Sequence, residues 1–163
     1  MTRALSGEDV ARRINEAHPD TAIHNNDTDV WIRPAAILEV SEFLNSDPDL
    51  NFSFLNAVTA VDYVEYFELV YHLVSMQNNT SVVIKSKVFG REELSAPSVI
   101  SVWQGADLQE REIWDLMGIH FEGHPNMKRV LLWEGFPGHP LRKDFLDRKK
   151  VLKSLEANSF ISP

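Results

Sequence analysis

The 163-residue sequence contains no cysteine. This absence excludes disulfides, thiolate nucleophiles and the cysteine ligands that hold most structural zinc ions and iron–sulfur clusters. The seven glycines are scattered, and neither of the common glycine-rich phosphate-binding motifs occurs, so the sequence gives no support for nucleotide binding. If the protein serves redox chemistry, we expect it to hold no cluster or other cofactor of its own.

The sequence also lacks a long apolar run and an excess of positive charge. No stretch approaches the roughly 18 consecutive apolar residues of a membrane-spanning helix, and the first residues have no apolar segment of signal-peptide length. The formal net charge of -8 argues against general nucleic-acid binding, which requires a basic surface. We therefore expect a cytoplasmic protein that neither inserts into a membrane nor binds nucleic acid.

The charge that is present is unevenly distributed along the chain. Basic residues dominate the segment from His124 to Lys153, whereas the rest of the chain is acidic. These basic residues are Lys128, Arg129, Arg142, Lys143, Arg148, Lys149, Lys150 and Lys153. The segment is either a solvated tail of mixed charge or an arm that is steered onto an acidic partner. We call residues 121–163 the strap and predict that it docks on a partner subunit.

The apolar pattern of residues 1–120 predicts an α+β domain. Ser6 is placed to cap a first helix, and Pro34 opens a second one. A short strand is predicted near 29–33, and the segments near 52–63, 66–76 and 80–88 are rich in Val, Phe, Tyr and Thr and predict three more. The connections between the last three are too short for helical crossovers, so we expect an antiparallel sheet with its helices mainly on one face.

Two further helices are predicted to meet at Gly105. The second would begin at an Asp107 N-cap, use Glu110 in a capping box and end at Gly118. Prolines and glycines exclude a long helix from the strap, which is predicted to be extended and irregular apart from one strand at residues 128–133.

The second of these helices concentrates charge of both signs in Glu110, Arg111, Glu112 and Asp115. Helical spacing allows Arg111 to reach Asp115. Strap arginines paired with these carboxylates would hold the strap against its own domain. This interpretation is at least as well supported as acid–base catalysis, which needs a pocket that the sequence does not reveal.

Histidines in the strap and directly before it raise the question of a metal site. His120, Glu122 and His124 are close in sequence, and Gly-His-Pro occurs twice, around His124 and His139. The zinc-protease pattern requires a glutamate directly after the first histidine and a helix beneath both, and neither condition holds. We predict no metal site and expect each histidine to fix a turn by hydrogen bonding.

These residues resemble the signature of a known family, the thirty-kilodalton subunit of respiratory complex I. The signature is met by a Glu-Arg-Glu triplet, an acid, an apolar pair, a histidine and a basic residue before aliphatics. Those positions are Glu110-Arg111-Glu112, Asp115, Leu116-Met117, His124, Lys128 and Val130-Leu131. The segments Pro140 to Phe145 and Phe67 to Ser75 are also similar to the family, and the resemblance runs from about Val30 to Phe145.

The resemblance implies a non-catalytic structural subunit in the peripheral arm of a proton-translocating NADH:quinone oxidoreductase, on the cytoplasmic side of the cell membrane. It implies that FMN and iron–sulfur clusters reside in other subunits. The implied partners are other peripheral-arm subunits, chiefly the subunit related to the hydrogenase large subunit that helps form the quinone site. The predicted interface or signature residues are Glu110, Arg111, Glu112, Asp115, His124, Lys128, Arg129, His139, Arg142, Lys143 and Asp144.

Three alternatives remain open at this stage. The same fold serves in ferredoxin- or F420-dependent complexes and in membrane-bound hydrogenases. A metal-dependent hydrolase would use His120, Glu122, His124 and His139 and would carry stoichiometric metal. A free interaction module would bridge soluble proteins and would not co-purify with membrane subunits.

Overall fold

A computed structural model describes residues 2–145 of the chain. The remainder of the predicted strap, residues 146–163, lies outside the described residues. Three α-helices lie within the described range, and they are α1 (Gly7–Ala17), α2 (Ile37–Ser46) and α3 (Ala106–Met117). The six strands of the main sheet are β1 (Arg3–Ala4), β2 (Ala22–Asn25), β3 (Asp29–Ile32), β4 (Phe54–Asp62), β5 (Tyr66–Ser75) and β6 (Thr80–Phe89). Two short strands, β7 (Ser95–Pro97) and β8 (His120–Glu122), form a separate parallel pair.

The α+β fold predicted from the sequence is confirmed, with a sheet that is mostly antiparallel. Strand order is β2-β3-β6-β5-β4, and the β4-β5 and β5-β6 pairs are antiparallel as their short connections predicted. Two pairs are parallel, because β1 and β3 both lie alongside β6 in the same direction. Hairpin lengths could not reveal these pairs, since they join segments that are distant in sequence.

One face of the sheet carries the core. Buried and partly exposed residues alternate along β6, as expected for a strand with one face packed and one face open. Buried apolar side chains of all three helices join those of the sheet in a single cluster. The cluster includes Val10 and Ile14 of α1, Val40 and Leu44 of α2, and Ile113 of α3. The helices therefore stabilise the domain from this face and fix the position of α3.

Local capping explains where the first helices begin. The side chain of Ser6 accepts the backbone N–H of Asp9, so the predicted N-cap of α1 is confirmed. Pro34 opens a short 3-10 turn that leads directly into α2.

Two elements differ from the prediction. The first of the two helices expected around Gly105 does not form, because Ser95 to Pro97 pair with β8 and tight turns follow. The strand expected at residues 128–133 is also absent from the described chain, which runs there through bends. Phe121, the first buried residue of the strap, packs in the domain core.

Candidate functional site

Helix α3 carries four of the predicted site residues, and its N-terminal end differs from the predicted capping pattern. The N-cap position is Gly105, so the expectation that Asp107 caps the helix is wrong, and Asp107 lies in the first turn. The helix ends as predicted at Gly118, whose φ of 77° is in the left-handed region and whose N–H donates to the Trp114 carbonyl.

Glu110 is fully buried beneath the turn that precedes α3. Its carboxyl group accepts hydrogen bonds from the Ser98 hydroxyl at 2.6 Å and from the Val99 N–H at 2.8 Å. Burial raises the pKa of Glu110, although these two donors and nearby His124 oppose the change. The predicted capping box is therefore wrong, since Glu110 instead satisfies polar groups of the turn at Ser98 and Val99.

Arg111 and Glu112 point to different surroundings. Arg111 donates to the backbone carbonyls of Lys128 at 3.1 Å and Arg129 at 3.3 Å, and its guanidinium is 3.8 Å from Asp107. The predicted Arg111–Asp115 pair does not form, because Arg111 is drawn to the strap backbone. Glu112 is exposed and forms no ion pair with a described residue.

Asp115 organises the strap from a fully buried position. One of its oxygens accepts hydrogen bonds from the N–H groups of Val130, Leu131 and Leu132 at 3.0, 2.8 and 2.9 Å. The other accepts a hydrogen bond from the Arg129 guanidinium at 2.7 Å. Burial alone would raise the pKa of Asp115, but these four donors outweigh it and hold the pKa below its usual range.

This convergence explains the absence of the predicted strand. Successive N–H groups point in opposite directions along a strand, so three in a row cannot converge on one oxygen unless the chain bends. We call residues 129–136 the tip loop. Arg129 closes it by donating to the Phe136 carbonyl at 3.0 Å, and the rings of Trp133 and Phe136 contact each other with centroids 4.7 Å apart.

The tip loop exposes apolar side chains while its backbone is held. Leu131 is 60% exposed, Trp133 is 49% exposed and Val130 is 39% exposed. Apolar side chains fixed at a surface in this way are typical of sites that bind another protein.

Both Gly-His-Pro histidines use their rings for hydrogen bonds within the chain. The His124 Nδ1 accepts the Asn126 N–H at 3.1 Å, so its Nε2 carries the hydrogen that faces the Asp107 carbonyl at 3.2 Å. The His139 Nδ1 donates to the Asp115 carbonyl at 2.9 Å. The prediction that they fix turns is confirmed for His124, whereas His139 instead attaches the strap to the end of α3.

A second cluster joins the end of the described strap to the sheet. Asp62, buried at the end of β4, accepts two bonds from Arg91 at 2.6 and 2.8 Å and the Lys143 N–H at 2.8 Å. Arg91 also pairs with Asp144 at 2.9 Å, and Arg142 donates to Asp144 and to the Arg91 carbonyl. The Arg91 bonds hold the pKa of Asp62 well below its usual range, against the effect of burial.

Six of the predicted site residues fall into two clusters. Asp115, Arg129 and His139 meet at α3, while Arg142, Lys143 and Asp144 meet at the end of β4. The sequence analysis missed Asp62 and Arg91. The signal in the sequence was an acid at the end of an apolar strand, where a buried carboxylate requires a cationic partner.

The described residues also bear on metals and membranes. Within residues 2–145, no group of three or more histidine or acidic side chains is arranged to hold a metal ion. No helix in that range has the length and apolar character needed to cross a membrane.

Comparisons with known proteins show which family the sequence matches. Residues 30–151 match the family described as "Respiratory-chain NADH dehydrogenase, 30 Kd subunit". An NADH-quinone oxidoreductase subunit of Roseiflexus sp. (strain RS-1) is 41% identical over 148 residues, which cover 86% of this chain and 84% of that protein. The equivalent NADH-quinone oxidoreductase subunit of Rhizobium meliloti (strain 1021) is 44% identical over 117 residues, covering 70% of this chain and 63% of that protein.

A solved structure has a similar fold. The matching chain comes from the membrane-bound sulfane sulfur reductase, an archaeal respiratory membrane complex, with a TM-score of 0.67 and 27% sequence identity. The match covers 92% of this chain and 91% of that one. Since the family match extends over most of the sequence and includes both strap clusters, the chain belongs to the family of the 30 Kd subunit of respiratory-chain NADH dehydrogenase.

Proposed function

We propose that this chain is a non-catalytic structural subunit of the peripheral arm of a proton-translocating NADH:quinone oxidoreductase, bound at the cytoplasmic side of the cell membrane. Family membership and the similarity to NADH-quinone oxidoreductase subunits support this assignment. In the assembled complex, FMN and iron–sulfur clusters would reside in other subunits, which also carry out the redox steps.

The observation that carries the proposal is the tip loop. A buried carboxylate, an arginine and three backbone N–H groups fix a loop whose Leu131 and Trp133 remain largely exposed. Fixing a loop in advance reduces the entropy lost on binding, and aromatic anchors dominate the affinity of many interfaces. The loop is therefore built for docking, and its apolar tip is suited to a pocket on a neighbouring subunit.

The proposed partner is the subunit related to the hydrogenase large subunit that helps form the quinone site. Lys128, which directly precedes the tip loop, and Lys143 at the end of the described strap are both exposed, and their charges favour an acidic rim on that partner. Docking contributes to catalysis by positioning, since it keeps cluster-to-quinone distances constant.

A second candidate keeps the fold and changes the parent complex. The structural similarity to a chain of the membrane-bound sulfane sulfur reductase supports an equivalent role in a different respiratory membrane complex. A ferredoxin- or F420-dependent complex and a membrane-bound hydrogenase are the alternatives that the sequence left open. A neighbouring gene set that encodes the flavin-containing NADH module supports the first candidate, and its absence supports the second.

Replacing Leu131 and Trp133 together by serine tests the docking role. We expect the free energy of unfolding of the isolated chain to fall by no more than about 2 kcal/mol, because both side chains are largely exposed and the contact between Trp133 and Phe136 is worth about 0.5–1.5 kcal/mol. The yield of assembled complex should fall at least about tenfold, as expected when interface anchors are removed. Met76→Ser is the matched control, since Met76 is 69% exposed at a different surface and its loss should leave assembly unchanged. Normal assembly of the double variant would overturn the proposal.

A further inference from the structure

The groove between β4 and α3 has the features of a second docking site. β4 is the edge strand of the main sheet, so one of its sides is not paired with any described strand. Val58 and Ala60 of β4, Ile113 and Leu116 of α3, and Leu141 of the strap contribute to the lining of the groove. The groove is therefore formed jointly by sheet, helix and strap.

The direction of the Val58 N–H shows how the open edge is arranged. This N–H donates to the Gln109 side chain of α3 at 2.7 Å, so it points away from β5. In an antiparallel pair the outward-pointing residues alternate, so the N–H and carbonyl of Ala60 also point outward. At Asp62 the backbone of Lys143 covers the end of the strand. A short stretch of edge, Thr59 to Val61, is left between Gln109 and the strap.

The open strand edge beside the groove argues for a protein segment. The groove has a cavity volume of about 270 Å3. It is bordered by an unpaired strand edge, and adding an extended peptide to such an edge is a common mode of recognition. A large apolar side chain of that peptide would contact Leu116 and Met117.

The charge at the rim indicates the chemistry of the occupant. Glu112 is exposed at the groove and has no ion pair among the described residues, whereas Asp115 on the same helix binds Arg129. A carboxylate next to an apolar cavity complements a segment that carries one apolar and one basic side chain.

We propose that this groove binds a short extended segment of a neighbouring subunit, with an apolar side chain beside Leu116 and Met117 and a lysine or arginine paired with Glu112. The proposal rests on the proposed function, because it requires a multisubunit assembly. It adds a contact that is separate from the tip loop. The segment pairs with the outward backbone groups of Ala60, which places it alongside β4.

The test places a photo-cross-linking amino acid at Thr59, which is exposed and lines the groove, in the full chain within its native host. Cross-linkers at Leu131 and at Met76 serve as parallel probes of the tip loop and of a distant exposed surface. We expect the Thr59 adduct to map by mass spectrometry to one extended segment of a neighbouring subunit that contains a lysine or arginine. Glu112→Lys should reduce that adduct about tenfold or more, because it replaces attraction with repulsion between like charges. Glu42→Lys, which changes an exposed acid on α2, should leave the adduct unchanged.

A charge swap completes the test. Changing the basic residue of the cross-linked segment to glutamate should restore the adduct in the Glu112→Lys background. An adduct at Leu131 but none at Thr59 would overturn the groove proposal and leave the docking role intact, whereas failure at both positions would overturn both. An adduct to residues 146–163 of this chain, to a second copy, or to a segment without a basic residue would also overturn the groove proposal.

Discussion

Glu110 and Asp115 are both fully buried carboxylic acids on α3, yet their surroundings change their pKa values in opposite directions. Asp115 has four donors, three of them backbone N–H groups and one a guanidinium, which stabilise its charge. Glu110 has two neutral donors, and burial raises its pKa. The number and charge of the donors, rather than burial alone, decide the direction in which each pKa moves.

The pH dependence of stability tests the environment of Glu110. Because its folded-state pKa is raised, this group contributes most to the free energy of unfolding below its unfolded pKa of about 4.3, and the contribution falls as pH rises through the folded pKa. Glu110→Gln keeps an acceptor for the Val99 N–H and does not titrate. The stability of this variant relative to the wild type should therefore rise with pH, as measured by urea unfolding from pH 4 to pH 8.

A second substitution of Glu110 and a control on α2 separate charge from hydrogen bonding at this position. Glu110→Ala leaves the Ser98 hydroxyl and the Val99 N–H without partners and should cost about 1–3 kcal/mol. Glu42→Gln, at an exposed acid on α2, should not alter the pH dependence. If the free energies of unfolding of Glu110→Gln and the wild type differ by a constant amount from pH 4 to pH 8, the pKa of Glu110 is not raised.

At the scale of elements, the C-terminal end of α3 joins the helix to the strap. Gly118 adopts a φ of 77°, and a Cβ atom at this position would lie 2.6 Å from the His139 ring. The glycine is therefore required both for the left-handed backbone and for the close approach of the histidine. The His139 bond to the Asp115 carbonyl depends on that approach.

Gly118→Ala should therefore destabilise the chain by more than Gly123→Ala. Both glycines have positive φ, for which a side chain costs about 1–2 kcal/mol, but a Cβ at Gly123 would meet open space. Urea unfolding of the two variants isolates the effect of the His139 contact. The double variant Gly118→Ala with His139→Ala should lose less stability than the sum of its two single variants, because the new Cβ then has no ring to clash with. Equal losses of stability in Gly118→Ala and Gly123→Ala would show that the His139 ring does not restrict a side chain at position 118.

Elements with local signals could be predicted from the sequence, and elements that depend on distant partners could not. Ser6 caps α1 through a bond three residues away, and the hairpins of β4, β5 and β6 follow from their short connections. The bend at residues 130–132 depends on Asp115, and no pattern within the bend reveals it. The apolar run at 130–133 favours a strand in isolation, but the buried carboxylate outweighs that preference.

At the scale of the whole molecule, the strap is attached to the domain at two separate points. Asp115 fixes the tip loop, and Asp62 with Arg91 fixes the end of the described strap. The sequence analysis identified the strap residues of both clusters but not the partners supplied by the sheet. Asp62 and Arg91 are distant from the strap in sequence, so their roles emerge only from the three-dimensional fold.

Lys143 and Arg142 should respond differently to substitution. Lys143 is exposed and binds Asp62 through its backbone N–H, so Lys143→Glu should change the free energy of unfolding by no more than about 0.5 kcal/mol. The yield of assembled complex and its quinone reductase rate should fall together, since the reversed charge faces the proposed partner. Arg142→Ala removes hydrogen bonds to Asp144 and to the Arg91 carbonyl. It should therefore lower the free energy of unfolding in addition to the yield of assembled complex.

The outcomes distinguish an interface from an internal clamp. Full assembly of Lys143→Glu with slow turnover would place Lys143 near the chemistry. Full assembly with normal turnover would remove it from the interface. If Arg142→Ala lowers stability but the complex that does assemble works normally, Arg142 serves only to hold the strap against its own domain.

The attachment of the strap to Asp62 and Arg91 also has a consequence for the order of events during synthesis. Both residues lie on segments that leave the ribosome before Lys143 is translated, so the sheet is available to receive the strap as it emerges. The apolar side chains of the tip loop are among the last parts of the described chain to be made. The exposed apolar surface of the tip loop therefore exists only briefly during synthesis, which limits aggregation of the nascent chain. The protein can bind neighbouring subunits only after its own domain has been made.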